Sequence, residues 1–151
     1  MTRERDLTIL PFQSKNQAEV KSLILAGLVE HWGWLDPSKN PDLDDIARTY
    51  RGALFLVAWY RNRVVGTGAL VPRSADTAEI VRMSVDAEMR RKGVGSEIFR
   101  RLREHAVATG YGRLILETTE TWSEVIEFYE RLGFGLTHRA GGDAYFALDL
   151  S

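Results

Sequence analysis

The chain has 151 residues, with 20 lysines and arginines against 21 aspartates and glutamates, and no cysteine. That length suits one domain with a substantial apolar core, and a formal net charge of −1 lacks the broad basic field of a nucleic-acid or anionic-membrane binder. Disulfides, thiolate metal sites and a thiol nucleophile are excluded. The opening Met-Thr-Arg-Glu-Arg-Asp does not resemble a secretion signal, and no apolar run approaches the ~20 residues of a bilayer span. The expectation is a single domain over residues 1–151, cytoplasmic, with neither nucleic acid nor membrane as partner.

In chain order, Leu7, Ile9 and Phe12 suggest a first strand ending near Pro11. Ser14 with Gln17 fits a reciprocal cap, and Val20, Ile24, Gly27, Leu28 and His31 recur at helical spacing, which predicts a helix over residues 15–31. His31-Trp-Gly-Trp-Leu-Asp-Pro reads as an aromatic loop, and Asn40-Pro41 as the start of a short helix with Asp42, Asp44 and Asp45 at its positive end. Leu54–Tyr60 and Val64–Pro72 flank Arg61-Asn62-Arg63 as a hairpin. Period-two alternation then puts Glu79, Val81, Met83 and Val85 on one strand face and Ile80, Arg82 and Ser84 on the other.

Val94, Ile98, Leu102, His105 and Ala106 form the stripe of a long helix that stops at Gly110. Arg113–Thr118 is a further strand. Thr121 and Glu124 offer a second capping box before the Val125, Ile126, Tyr129 and Leu132 stripe, and Gly133 ends that helix. Two late strands, near 134–140 and 144–150, pair through Gly141-Gly142-Asp143. The fold class is mixed α/β, with a mostly antiparallel sheet and two helical crossovers.

The most informative motif lies between the third of the central strands and the long helix. Arg90-Arg91-Lys92-Gly93-Val94-Gly95, followed by Ser96, gives a strand, a glycine turn and a helix N-terminus with three cations beside it. Outward backbone N–H groups at such a turn accept a diphosphate. The hexapeptide lacks the third glycine of a dinucleotide fingerprint and the Lys-Ser/Thr ending of a P-loop; a tight connection with solvated basic residues is the plain alternative.

AEIVRMSVDAEMRRKGVGSEIF together with LETTETWSEVIEFYERLGF resembles the GCN5-related N-acetyltransferase (GNAT) superfamily, in detail over about residues 78–135. The resemblance implies a sheet splayed into a cleft for acetyl-CoA, between the strand carrying Met83 and the strand near Leu114–Glu117. It implies that backbone at Met83 and Val85 holds the pantetheine and that Arg90, Arg91, Lys92, Gly93, Val94, Gly95 and Ser96 receive the diphosphate. Gly93 and Gly95 are then needed for close approach or turn geometry. Trp122 stands where many relatives carry an asparagine that contacts the cofactor arm; it either packs on that arm or serves the core. A homodimer through the late hairpin is left open.

The resemblance also implies acyl transfer from the thioester to an amine, and without cysteine direct attack in a ternary complex is favoured. Tyr129, in Phe128-Tyr129-Glu130, matches the tyrosine that approaches the CoA sulfur and is the expected general acid; a buried structural tyrosine is the alternative. Glu79 matches a catalytic glutamate position and is the expected base, acting directly or through water. A carboxylate at the apolar end of a cleft gains proton affinity by desolvation; an exposed sheet-edge charge is the alternative. Glu117, ending its strand, is expected to orient the amine or share a water with Glu79; satisfying backbone donors where the strand turns toward a helix is the alternative. His31, His105 and His138 lack zinc-like spacing, and no metal is expected.

The loop HWGWLDPSKNPDLDD, residues 31–45, combines Trp32 and Trp34 with Asp36 and Asp42, an apolar-walled opening with an acidic rim for a cationic amine. The expected reaction is N-acetylation of a small primary amine. A peptide or protein N-acetyltransferase and a non-catalytic acyl-CoA-binding regulator are the alternatives.

Overall fold

The computed structural model describes residues 6–33 and 39–150. Strands β1 (Leu7–Pro11), β2 (Leu54–Tyr60), β3 (Arg63–Pro72), β4 (Thr77–Val85), β5 (Arg113–Thr119), β6 (Gly135–Ala140) and β7 (Asp143–Asp149) form one seven-stranded sheet in the order β1-β2-β3-β4-β5-β7-β6. Only β4 and β5 pair in parallel; every other neighbouring pair is antiparallel. The helices are α1 (Gln17–Trp32), the single turn α2 (Ile46–Thr49), α3 (Val94–Thr109) and α4 (Ser123–Arg131). The mixed, mostly antiparallel class read from the sequence is the one observed.

The sheet separates two apolar cores. On one side α3 contributes Ile98, Phe99 and Leu102, which pack with Ile80, Leu114, Leu116, Tyr129 and Phe146. On the other side Val20 and Ile24 of α1 pack with Leu43, Ile46, Phe55 and Val57. Gly66 and Gly68 let α3 lie directly on β3: a Cβ on Gly68 would stand 2.4 Å from Met83 Sδ and 2.6 Å from Ile98 Cγ2. The β2–β3 hairpin turns through Arg61 and Asn62, both left-handed at φ 50° and 65°, the geometry that suits strand twist.

Local signals were displaced where long-range contacts competed. Gln17 does not cap its helix with Ser14. Its side-chain amide donates to the Leu43 carbonyl at 2.6 Å, and its amide oxygen accepts from the Ile46 N–H at 2.9 Å. The reciprocal cap forms one residue earlier, between Gln13 and Asn16. The Asn40-Pro41 segment is a 3-10 turn over Pro41–Asp44, and α2 follows with Asp45 as its N-cap. At α4 the N-cap is Trp122, with no side-chain cap bond, in place of the expected Thr121–Glu124 box. His105 is exposed on α3, and Phe99 takes its place in the buried stripe.

Candidate active site

The parallel pairing of β4 with β5 covers only Thr77↔Arg113, Ala78↔Leu114 and Glu79↔Ile115. Beyond it β4 runs on to Val85 while hydrogen-bonding β3, and β5 runs on to Thr119 while hydrogen-bonding β7. The two strands diverge, and two backbone edges face an open fork. Unpaired strand edges of this kind accept an extended chain bearing amides.

A bulge sets which side chains face which side of that fork. Thr67 pairs with Ser84 but Ala69 with Val81, so Arg82 and Met83 together oppose Gly68. Arg82 takes a left-handed φ of 53°, and its carbonyl accepts from the buried Thr67 hydroxyl at 2.8 Å. The extra residue reverses the alternation. Met83 and Val85 join Ala78 and Ile80 against the α3 core, whereas Val81 packs in the α1 core. The expectation that Glu79 shares a face with Met83 and Val85 is therefore corrected: Glu79 lies on the α1–α2 side with Val81. A one-residue shift turns every later side chain over, and strict alternation cannot register it.

Arg82 is fastened from its far end. Its Nε donates to Asp42 Oδ2 at 2.9 Å and its Nη2 to Asp42 Oδ1 at 2.7 Å and to Asn40 Oδ1 at 3.1 Å. The Tyr50 hydroxyl donates to Asp42 Oδ2 at 2.6 Å. Burial alone would raise the Asp42 carboxyl, but hydrogen bonds from Arg82 and Tyr50 hold it below its ordinary value. Burial and Asp42 push the Tyr50 phenol up to about 12.

At the end of the fork the chain turns through Arg90–Gly93 into α3. Arg91 and Gly93 are both left-handed, at φ 61° and 84°, and α3 has no side-chain cap. The Val94, Gly95 and Ser96 N–H groups precede the first helical hydrogen bond, from Glu97 N–H to the Gly93 carbonyl at 3.0 Å. They lack intrahelical acceptors by position and form an anion-accepting concavity. The two glycines have different roles. A Cβ on Gly93 would meet nothing within 4 Å, so its backbone angle is what matters; a Cβ on Gly95 would lie 3.2 Å from the Phe128 ring of α4.

Arg90, Arg91 and Lys92 are exposed. Arg90 pairs with Glu30 of α1, and its hydrogen bonding holds Glu30 below its ordinary value. Among the described residues Arg91 and Lys92 make no ion pair. Trp122 stacks on His31 of α1 at 4.2 Å and 15°, and Trp32 meets His31 edge-on at 4.6 Å. The end of α1 thus touches both the glycine turn and the start of α4. Trp32 is exposed there; Trp34 and Asp36 lie outside the described residues.

Tyr129 is buried against Phe128 and Phe134, with ring centroids 5.2 and 5.7 Å away. Burial alone raises its phenol well above the ordinary value. Among the described residues no fully enclosed side-chain N or O lacks a partner. On the opposite face, Glu79 Oε1 accepts from Arg73 Nε at 2.6 Å, a paired environment and not a purely apolar one. Glu117 pairs in register with Tyr145. Hydrogen bonding to Glu117, then its charge, raises the Tyr145 phenol, with smaller contributions from burial, Asp143 and Glu79. Tyr145 also stacks on His138 at 4.4 Å. Arg73 and Tyr145 were not singled out from sequence; only the β5–β7 register, known from the fold, brings Tyr145 beside Glu117. Among the described residues no group of three or more His, Asp or Glu could hold a metal ion, and no helix is long and apolar enough to cross a membrane.

A fork, a left-handed turn and an uncapped helix in this order match a known family. The model described as Acetyltransferase (GNAT) family covers residues 21–134. The chain belongs to the GNAT family. This GNAT chain is 37% identical over 105 residues to the N-acetylaspartate synthetase of Danio rerio, covering 67% of this chain and 37% of that protein. It is 33% identical over 100 residues to the uncharacterized N-acetyltransferase YjgM of Escherichia coli K12, covering 63% of this chain and 60% of that protein. The chain thus spans well under half the length of the synthetase it matches. A GNAT-family acetyltransferase of Staphylococcus aureus Mu50 superposes with TM-score 0.89 at 19% identity over 96% of this chain and 99% of that one. The PaiA N-acetyltransferase of Thermoplasma acidophilum, solved with coenzyme A, gives TM-score 0.83 at 18% identity over 95% and 98%. At these identities the structures show the shared fold.

Proposed function

We propose that this chain transfers an acetyl group from acetyl-CoA to a primary amine of a small molecule, by direct attack in a ternary complex. The carrying observation is the fork whose two faces hold different chemistry: Glu79 on the α1–α2 side, and α4 with Tyr129 on the α3 side. The unpaired β4 edge at Met83 and Val85 would hold the pantetheine amides, and the Arg90–Ser96 turn the diphosphate, with Trp122 beside the arm. When bound, acetyl-CoA supplies an acyl carbon activated by its thioester. Glu79 removes the amine proton, directly or through water, with Glu117 and Tyr145 orienting the amine. Tyr129 holds a proton for the leaving sulfur from the opposite side. Base and acid across the fork suit an amine entering from one face and a thiol leaving toward the other.

Thiol release measured across diverse amines, with mass analysis of the products, tests this reading. Coenzyme binding without amine-dependent release would overturn it in favour of an acyl-CoA-binding regulator. Glu79→Gln should lower turnover about a hundredfold at neutral pH, and the two pH profiles should converge once the amine deprotonates unaided. Parallel profiles would remove Glu79 from the role of base.

The two glycines give a separate test of the diphosphate turn. Gly93→Ala should weaken acetyl-CoA binding about tenfold, a backbone cost of ~1–2 kcal/mol, with little other disturbance because its Cβ meets open space. Gly93→Asn should be milder, since asparagine tolerates the left-handed region. Gly95→Val should also lower Tm through the Phe128 clash. Unchanged affinity in Gly93→Ala, read by calorimetry, would contradict the turn as the diphosphate site.

A further inference from the structure

Among the described residues, the carboxylates expected at the acceptor rim are engaged by other parts of the folded chain. Asp42 is taken by Arg82 and Tyr50, Asp44 pairs with Lys21 at 2.7 Å, and Asp45 caps α2 through the Arg48 N–H. A hollow of about 530 Å³ opens instead between the α2–β2 turn, the end of β3 and the middle of β4. Its walls include Arg51, Arg73, Tyr50, Val71 and Val81, and among the described residues no carboxylate lines it. That volume suits a small metabolite.

The hollow adjoins the proposed base. Val71 pairs in register with Glu79, Val81 lies on the same strand face as Glu79, and Arg73 Nε touches Glu79 Oε1 at 2.6 Å. Arg73 presents that one edge to Glu79; among the described residues its terminal nitrogens have no partner, and Arg51 makes no ion pair. Two arginines therefore line a space with apolar walls at Val71 and Val81, and among the described residues only Glu79, at its margin, pairs with either of them. A polyamine placed there would meet like charge.

We propose that the acceptor carries a carboxylate as well as its amine, and that Arg51 and Arg73 bind the carboxylate in this hollow while the amine lies beside Glu79. The proposal rests on the acetyl-transfer reading and names its substrate class: an amino acid or a comparably small amino-carboxylate. The charges then alternate around a closed ring, from Glu79 to Arg73 to the acceptor carboxylate to its ammonium. A guanidinium has five N–H donors in a planar fork, enough to serve Glu79 through one edge and a second carboxylate through another. The amine and carboxylate of one small molecule are close enough to span from Glu79 to Arg73.

The test compares kcat/KM for free L-amino acids with their α-carboxamides, and for glutamate with glutamine, so that α- and side-chain carboxylates are distinguished. At least one acid should be favoured over its amide by roughly 10- to 100-fold. Arg51 is the variant of choice because it is exposed and, unlike Arg73, does not touch the proposed base. Arg51→Gln should reduce the acid-to-amide ratio about tenfold, mainly through acceptor KM, and Arg51→Glu should move the preference toward diamines, with acetyl-CoA affinity followed to report an intact fold. Equal rates for acids and amides, or an unchanged ratio in Arg51→Gln, would overturn this inference alone. Absence of thiol release with every amine would overturn the transferase reading, and this inference with it.

Discussion

Tyr129→Phe is expected to lower turnover by about a hundredfold or more while leaving acetyl-CoA affinity within a few-fold. The substitution removes one hydroxyl and keeps the ring, so the edge-on contacts with Phe128 and Phe134 persist and the core stays filled. A positioned proton donor contributes about 10²–10⁴-fold, and departure of a thiolate is the step that needs it. Burial raises the phenol above its ordinary 10.0, so the proton stays on Tyr129 throughout the working pH range and no alkaline loss of the acid should appear below pH ~10. The same shift bears on stability. A phenol with a higher pKa in the folded state than in the unfolded chain contributes fully below the unfolded value, and that contribution is lost as pH rises toward the folded value. Stability should therefore decline above about pH 10, and Tyr129→Phe should flatten that decline. Tyr50, raised to about 12, adds a slope of the same sign, so flattening should be partial. Unchanged single-turnover rates in Tyr129→Phe would assign the proton to another donor.

Much of this architecture is legible in the chain, because local chemistry and tertiary demand agree over most of it. The hydrophobic stripes locate α1, α3 and α4. Arg61-Asn62 marks the β2–β3 hairpin, and the glycines at 93 and 95 mark the turn into α3. What escapes sequence reading depends on contacts between distant residues. Arg82 and Asp42 are 40 positions apart, and Arg90 and Glu30 are 60 apart; no local pattern joins either pair. The β4 bulge escapes for another reason: alternating apolar and polar residues are compatible with both a flat strand and one carrying an extra residue. Gln17 shows a third kind of failure, since its capping signal is sound but its amide is taken by the Leu43 and Ile46 backbone. At the site, the acidic residues of the 31–45 loop suggest attraction of a cation, but Asp42 is held by Arg82 and Tyr50, Asp44 pairs with Lys21 and Asp45 caps α2. The neighbouring hollow is instead lined by arginine, Arg51 from the α2–β2 turn and Arg73, paired with Glu79, from just beyond β3.

Asp42→Ala should destabilise the protein by about 3 kcal/mol, lowering Tm by roughly 6–12 °C, and should impair catalysis at temperatures where the variant is still folded. Asp42 and Arg82 side chains are only 23% and 20% exposed, so removing the carboxylate leaves a largely buried guanidinium without its bidentate partner. The left-handed backbone at Arg82 costs about 1–3 kcal/mol for a non-glycine residue, and the Asp42 clamp is one of the interactions that offset it. Loss of the clamp favours relaxation of the bulge, which would carry Met83 and Val85 away from the α3 face and disturb the edge proposed to hold the pantetheine. The pH dependence has a definite sign. Asp42 is held below its ordinary 3.8, so its contribution is present above that value and is lost as pH falls through the lower, folded value. Asp42→Asn should thus reduce the acid-side loss of stability below about pH 4. The double variant Asp42→Ala/Arg82→Met separates the two roles, because it removes the unpaired cation without restoring the bulge anchor. It should regain much of the lost Tm but not the lost turnover. Full recovery of turnover alongside Tm would show that the clamp serves folding and has no part in holding the edge at Met83 and Val85 proposed to receive the pantetheine.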